Sequence, residues 1–199
     1  MQNPVVKRLA HHGNPTCVRG GYAEIIKEHV QWGWKPNYIN FMFNNIPGGV
    51  PEKMDVMTRE VTRVHDILTR HIVRRRKAEN WSHLRPIFIG CHDLPVWKHE
   101  KELVRNLVVN DGLHFNVVSL VPPESDTTMP MRLQFAIWGR RSRLTLPLKK
   151  HFEQNQRVYL TDVLNRIYVT PIIEGTMADY TLKAFKKGWV SPDGIQIWN

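Results

Sequence analysis

Between Pro51 and about Glu79, the apolar residues Met57, Val61, Val64, Leu68 and Ile72 recur at steps of three and four, with polar and charged residues between them. That spacing describes a helix with one apolar stripe, which gains stability only by burying the stripe against a second layer. The neighbouring sequence offers β-prone runs for that layer. Tyr38 to Asn45 reads YINFMFNN and is closed by the chain-bending IPGGVP; Arg85 to Gly90 reads RPIFIG. Leu113 to Val121 reads LHFNVVSLV and lies between Asn110-Asp111-Gly112 and Pro122-Pro123. KHEKELVRNL between the last two runs is helical in pattern, Gln156 to Ile173 satisfies both periods in part, and a last helix is expected from about Glu174 to Lys187. WVSPDGIQIWN closes the chain as a hairpin or strand. The order predicts an α+β fold: a central antiparallel sheet with helices packed on one face.

A chain of 199 residues, 42% hydrophobic and 23% charged, can bury one sizeable core. We read residues 1–37 as an N-terminal extension, with a short helix around Tyr22 to Gln31, and 38–199 as the main domain. The formal net charge of +10 favours a polyanionic partner through counterion release and steering, with nucleic acid ahead of an anionic membrane surface. No apolar run approaches the ~20 residues that span a bilayer. The opening MQNPVVKRLAHHGN has no secretory pattern, so the expected compartment is the cytoplasm. Cys17 and Cys91 have no CxxC companion, which supports neither a disulfide framework nor a thiolate zinc site. No GxxxxGK[ST] loop or GxGxxG is present, so a built-in nucleotide-driven step is not expected.

Three places carry residues suited to chemistry. On the late helix Ala178, Leu182 and Phe185 form one face, while Tyr180, Lys183, Ala184 and Lys187 fall on the other. A phenol beside ammonium groups ionises more readily and becomes a better oxygen nucleophile, and the same lysines can hold a phosphate; a solvated surface helix is the plainer reading of that pattern. In LHFNVV the two-residue period of a strand turns His114 and Asn116 to one face and Phe115 to the other. An imidazole nitrogen and an amide oxygen can hold a divalent ion, with a third ligand from His92 or Asp93, or less readily His99 or Asp111; Asp93 suits Mg²⁺ or Mn²⁺ best. Basic residues gather at Arg70 to Lys77 and again at Arg132, Arg140, Arg141, Arg143, Lys149 and Lys150. The first group also complements a helix C-terminus. The second is interleaved with Phe135, Trp138 and Phe152, the aromatic surfaces on which unpaired bases stack.

Taken in order, INFMFNN, LHFNVV and ADYTLKAFKKG resemble the motifs of the HUH endonuclease superfamily of rolling-circle replication initiators, relaxases and single-strand transposases. The resemblance runs from about Tyr38 to Gly188 and implies a sheet related to the ferredoxin and RRM plan. It implies DNA recognition by Asn44 and Asn45 at the end of the first strand, and a Mg²⁺ or Mn²⁺ site at His114 and Asn116. Some viral-type members carry glutamine at the second metal position, so Asn116 departs from the pattern with a partial precedent. GCHD sits where such proteins often place the third ligand, which favours Asp93 and His92. Tyr180 then becomes the nucleophile and Lys183 the residue that positions phosphate or metal. The implied activity is nicking and rejoining of single-stranded DNA, origin or hairpin DNA included, through a 5′-phosphotyrosine, with unwinding left to a host helicase or supercoiling. Two other roles fit the charge: a non-catalytic nucleic-acid-binding protein with a degenerate fold of this kind, and a structural role in a ribonucleoprotein or phage assembly. Tyr22, Tyr38, Tyr159 and Tyr168 are the remaining tyrosines that could act as nucleophile.

Overall fold

The computed structural model describes residues 15–75, 77–93, 113–123, 142–172 and 195–199, the side chains of residues 15–20 and of Asn80 excepted. In chain order the elements are α1 (Pro15–Gln31), β1 (Lys35–Phe43), α2 (Val50–Ile72), a 3-10 turn (Glu79–Leu84), β2 (Ile87–Asp93), β3 (His114–Val121), the short helices α3 (Leu148–Gln154) and α4 (Gln156–Tyr159), β4 (Leu164–Pro171) and β5 (Gln196–Trp198). The expected late helix with Tyr180, Lys183 and Lys187 lies outside the described residues, as do KHEKELVRNL, Arg132, Trp138, Arg140 and Arg141.

The apolar stripe forms α2, burying Met57, Val61, Val64, Leu68 and Ile72. The turn IPGGVP feeds it through Gly48, whose φ of 104° is open to glycine and strained for other residues, with Pro51 in the first turn, where a missing N–H costs nothing. The helix ends at Ile72, short of the expected Glu79. Val73 turns extended while staying buried, and the basic residues that follow offer no apolar face to continue the stripe.

Among the described residues five strands make one sheet in the order β4-β1-β3-β2-β5. Every pairing is antiparallel. Among the described elements the first four strands follow β-α-β-β-α-β with β1 and β3 innermost, the split β-α-β plan, and β5 lies beside β2. The fold is thus α+β, as the sequence predicts. The ambiguous segment after Gln156 divides into one helical turn and the edge strand β4.

One face of the sheet packs against α2 through Ile39, Phe41 and Phe43 of β1, Phe88 of β2, and Phe115 and Val117 of β3. Each such side chain fully buried contributes about 1.5–3 kcal/mol. Gly90 lies under β3 on this face, and a Cβ there would come within 2.4 Å of the Asn116 carbonyl oxygen. The other face is not bare, contrary to a sheet covered on one side. Tyr22 and Ile25 of α1, with Trp34, pack there on Ile87, Ile89, Cys91, Leu120 and Ile195. The N-terminal helix read as an extension is therefore part of the sheet's packing, and β1 begins at Lys35 rather than Tyr38. Among the described residues no helix is long and apolar enough to cross a membrane.

Candidate functional site

Because strand side chains alternate between faces, the register determines which polar groups meet. Asn116 pairs with Asn40 of β1 on one side and Cys91 of β2 on the other; His114 pairs with Met42 and Asp93. Tyr38, two residues before Asn40, lies on the same face. The face away from α2 thus gathers Tyr38, Asn40, His114, Asn116 and Asp93 across three adjacent strands, beyond the part of that face where α1 packs.

Asn116 is the hub. It is 2% exposed. Its Oδ1 accepts hydrogen bonds from the Tyr38 hydroxyl at 2.7 Å and from Asn40 Nδ2 at 2.8 Å, while its Nδ2 donates to Asp93 Oδ2 at 2.9 Å. The Asp93 carboxylate, which can only accept when ionised, fixes this orientation of the amide: turned over, the amide oxygen would oppose it. Asn40 Nδ2 also lies 3.4 Å from the Tyr38 hydroxyl, and Asn40 Oδ1 is buried without a partner.

Beside the hub stands His114, half-buried, whose Nδ1 is buried with no hydrogen-bond partner. Burial lowers its pKa from the ordinary 6.5 and outweighs the opposing pull of the Asp93 carboxylate. The ring is therefore neutral at pH 7 and keeps a nitrogen lone pair, the form in which histidine binds metals. Among the described residues no three His, Cys, Asp or Glu side chains converge as a metal-holding group. What fits a hard divalent ion is the cross-strand pair of His114 nitrogen and Asp93 carboxylate. Two protein ligands are enough for Mg²⁺ or Mn²⁺ when substrate oxygens and water complete the shell. The Asn116 oxygen has both lone pairs engaged and adds no third ligand in this arrangement.

The other sequence-selected residues lie apart. His92 belongs to the opposite face, since it alternates with Asp93 along β2. Its Nε2 is 2.9 Å from the Met54 carbonyl and from Thr58 Oγ1 of α2, and its ring meets Phe115 edge-on at 4.6 Å. A carbonyl can only accept, so the proton sits on Nε2 and the ring serves packing between sheet and helix. His92 is thereby removed from the set that could join His114. Asn44 donates its side-chain amide to the Asp162 carbonyl at 2.7 Å, fastening the end of β1 to the turn before β4, and Asn45 is exposed. Arg143 is exposed and is tied by its backbone N–H to the Ile72 carbonyl at the end of α2, in the helix layer across the sheet from His114.

Sequence reasoning missed Tyr38 and Asn40 as members of the site, although they alternate in the same run that supplied Asn44 and Asn45. The signal was their period, and it needed the register of β1 against β3 to acquire meaning. Toward the β4 edge the same face carries Arg166 and Tyr168, opposite Met42 and Asn40, with Tyr168 54% exposed. No protein-family model matches the chain, and no curated protein or solved structure matches it.

Proposed function

We propose that the protein nicks and rejoins single-stranded DNA with the help of a divalent metal ion, using Tyr180 as the nucleophile. The observation that carries this reading is the cross-strand pairing of His114 and Asp93 on one face of the sheet, where the neutral imidazole has a buried Nδ1 without a hydrogen-bond partner. The motif order from the first strand through LHFNVV to ADYTLKAFKKG supports it, as does the net charge of +10. Exposed Arg166 and Tyr168 on the same face offer a cation for the backbone and a ring for a base.

His114 and Asp93 would hold Mg²⁺ or Mn²⁺, which when bound polarises a phosphate and draws off the charge of the transition state. The Tyr180 oxygen forms a bond to phosphorus as the bond from phosphorus to the 3′-oxygen breaks. The phenolic proton passes, through solvent or a neighbouring base, to the departing 3′-oxygen. The products are a 5′-phosphotyrosine and a free 3′-hydroxyl, and attack by that hydroxyl restores the original strand without ATP. Lys183, three residues after Tyr180, balances phosphate charge.

Incubation with end-labelled single-stranded DNA and Mn²⁺, with and without EDTA, followed by denaturing electrophoresis, tests the reading. The expected result is a metal-dependent covalent band that Tyr180→Phe abolishes. A band that persists in that variant refutes the nucleophile. A second reading, a nucleic-acid-binding protein that does not cut, is favoured by the engaged oxygen of Asn116. It predicts salt-sensitive binding indifferent to chelator and no covalent band with any sequence.

A further inference from the structure

We infer that Asn116, the second residue of the His-x-Asn pair, positions the Asp93 carboxylate and is not itself a metal ligand. The inference rests on the metal-dependent reading above and specifies how that site is built. A ligand oxygen must present a lone pair to the ion. The Asn116 oxygen has two, and both are occupied, by the Tyr38 hydroxyl at 2.7 Å and Asn40 Nδ2 at 2.8 Å. Binding an ion through that oxygen would displace the Tyr38 hydroxyl or the Asn40 amide from it.

The other end of the same amide points to Asp93, donating to Oδ2 at 2.9 Å. One carboxylate oxygen is thereby held, and the rotation of the group is fixed relative to His114 on the facing strand. Tyr38 and Asn40 therefore act on the metal at two removes: they lock Asn116, and Asn116 locks Asp93. Groups that orient a ligand in this way typically change metal affinity by about 10–100-fold when removed. The arrangement also accounts for an asparagine at this position. It accepts two bonds from β1 and donates one to β2 at once; a neutral histidine ring has a single acceptor lone pair beside its donor, and a carboxylate has no donor.

The two roles predict opposite responses to a single oxygen atom. If Asn116 were a ligand, Tyr38→Phe would free a lone pair on its oxygen and leave Mn²⁺ binding unchanged or tighter. If Asn116 positions Asp93, the same change loosens the amide and weakens binding about tenfold. The experiment is Mn²⁺ titration of the full chain followed by electron paramagnetic resonance, with and without a single-stranded oligonucleotide, for wild type, Tyr38→Phe and Asn40→Ala. Thermal midpoints on the same samples identify any variant that has lost its fold, and Asn40, only half-buried, provides the second route if Tyr38→Phe does so. Weaker binding with a changed line shape of bound Mn²⁺ in a folded variant is the expected result. Unchanged or tighter binding in both variants overturns the positioning role and leaves the metal-dependent reading standing. No Mn²⁺ uptake by the wild type, with or without DNA, overturns both.

Discussion

Replacing Asn116 by leucine keeps the side chain's size and removes all three of its hydrogen bonds, so it measures what the hub contributes to the fold. The Tyr38 hydroxyl, in a residue only 7% exposed, loses its 2.7 Å bond to Asn116, and removing the partner of a buried polar group costs about 1–3 kcal/mol. Asn40 and Asp93 are only partly buried, so water replaces part of what they lose, and about 1 kcal/mol each is the appropriate size. Apolar burial by the new leucine returns some of this, for a net loss of roughly 2–4 kcal/mol. With a urea m-value of about 2 kcal/mol/M, that lowers the unfolding midpoint by about 1–2 M. Tyr38→Phe alone removes the 2.7 Å bond to Asn116, worth about 1 kcal/mol, while Asn40 still serves the Asn116 oxygen. In the double variant the bond between the two residues is lost once rather than twice, so the combined loss falls short of the sum by about 1 kcal/mol. Urea unfolding of the four proteins of this cycle provides the measurement. A cost below about 0.5 kcal/mol for Asn116→Leu, or strict additivity, would refute the hub.

Gly90→Ala pushes a methyl group to 2.4 Å from the backbone oxygen of Asn116 and 2.7 Å from Val117, so β2 and β3 must part locally; a loss of about 1–3 kcal/mol is expected in thermal unfolding. His151, buried with its Nε2 2.9 Å from the Tyr159 hydroxyl, has its pKa pushed down to about 4 by burial and by nearby His71. Its unfolded value near 6.5 is higher, so the unfolded chain binds the proton first. Stability is therefore full above about pH 6.5, falls as the pH drops toward about 4, and levels off below; His65, His71, His92 and His114, also lowered, act with the same sign. His151→Gln should show a shallower fall of melting temperature across that window, and a curve parallel to the wild type would exclude His151 as a contributor. Tyr168→Ala, at a side chain 54% exposed, should weaken single-stranded DNA binding by about 1–3 kcal/mol in fluorescence anisotropy while leaving the melting temperature nearly unchanged; equal affinity removes Tyr168 from the DNA path.

Local pattern by itself determined the α2 stripe from Met57 to Ile72, the three strand runs and the α+β class, because a helix period and a strand period are properties of neighbouring residues. It also placed His114 and Asn116 on one face and Phe115 on the other, since alternation along a single strand needs no partner. Only the tertiary structure chose between His92 and Asp93: both follow the same apolar run, and the register of β2 against β3 sends one into the packing under α2 and the other to His114. The sheet likewise brought Tyr38 and Asn40 to Asn116 across intervals of 78 and 76 residues, which no local period can foresee. The sheet also decided the place of α1, whose Tyr22 and Ile25 acquire a partner only once β2, β3 and β5 lie side by side. Periodicity shows which face of an element is apolar or polar, and strand register decides which polar groups on that face stand close enough to act together.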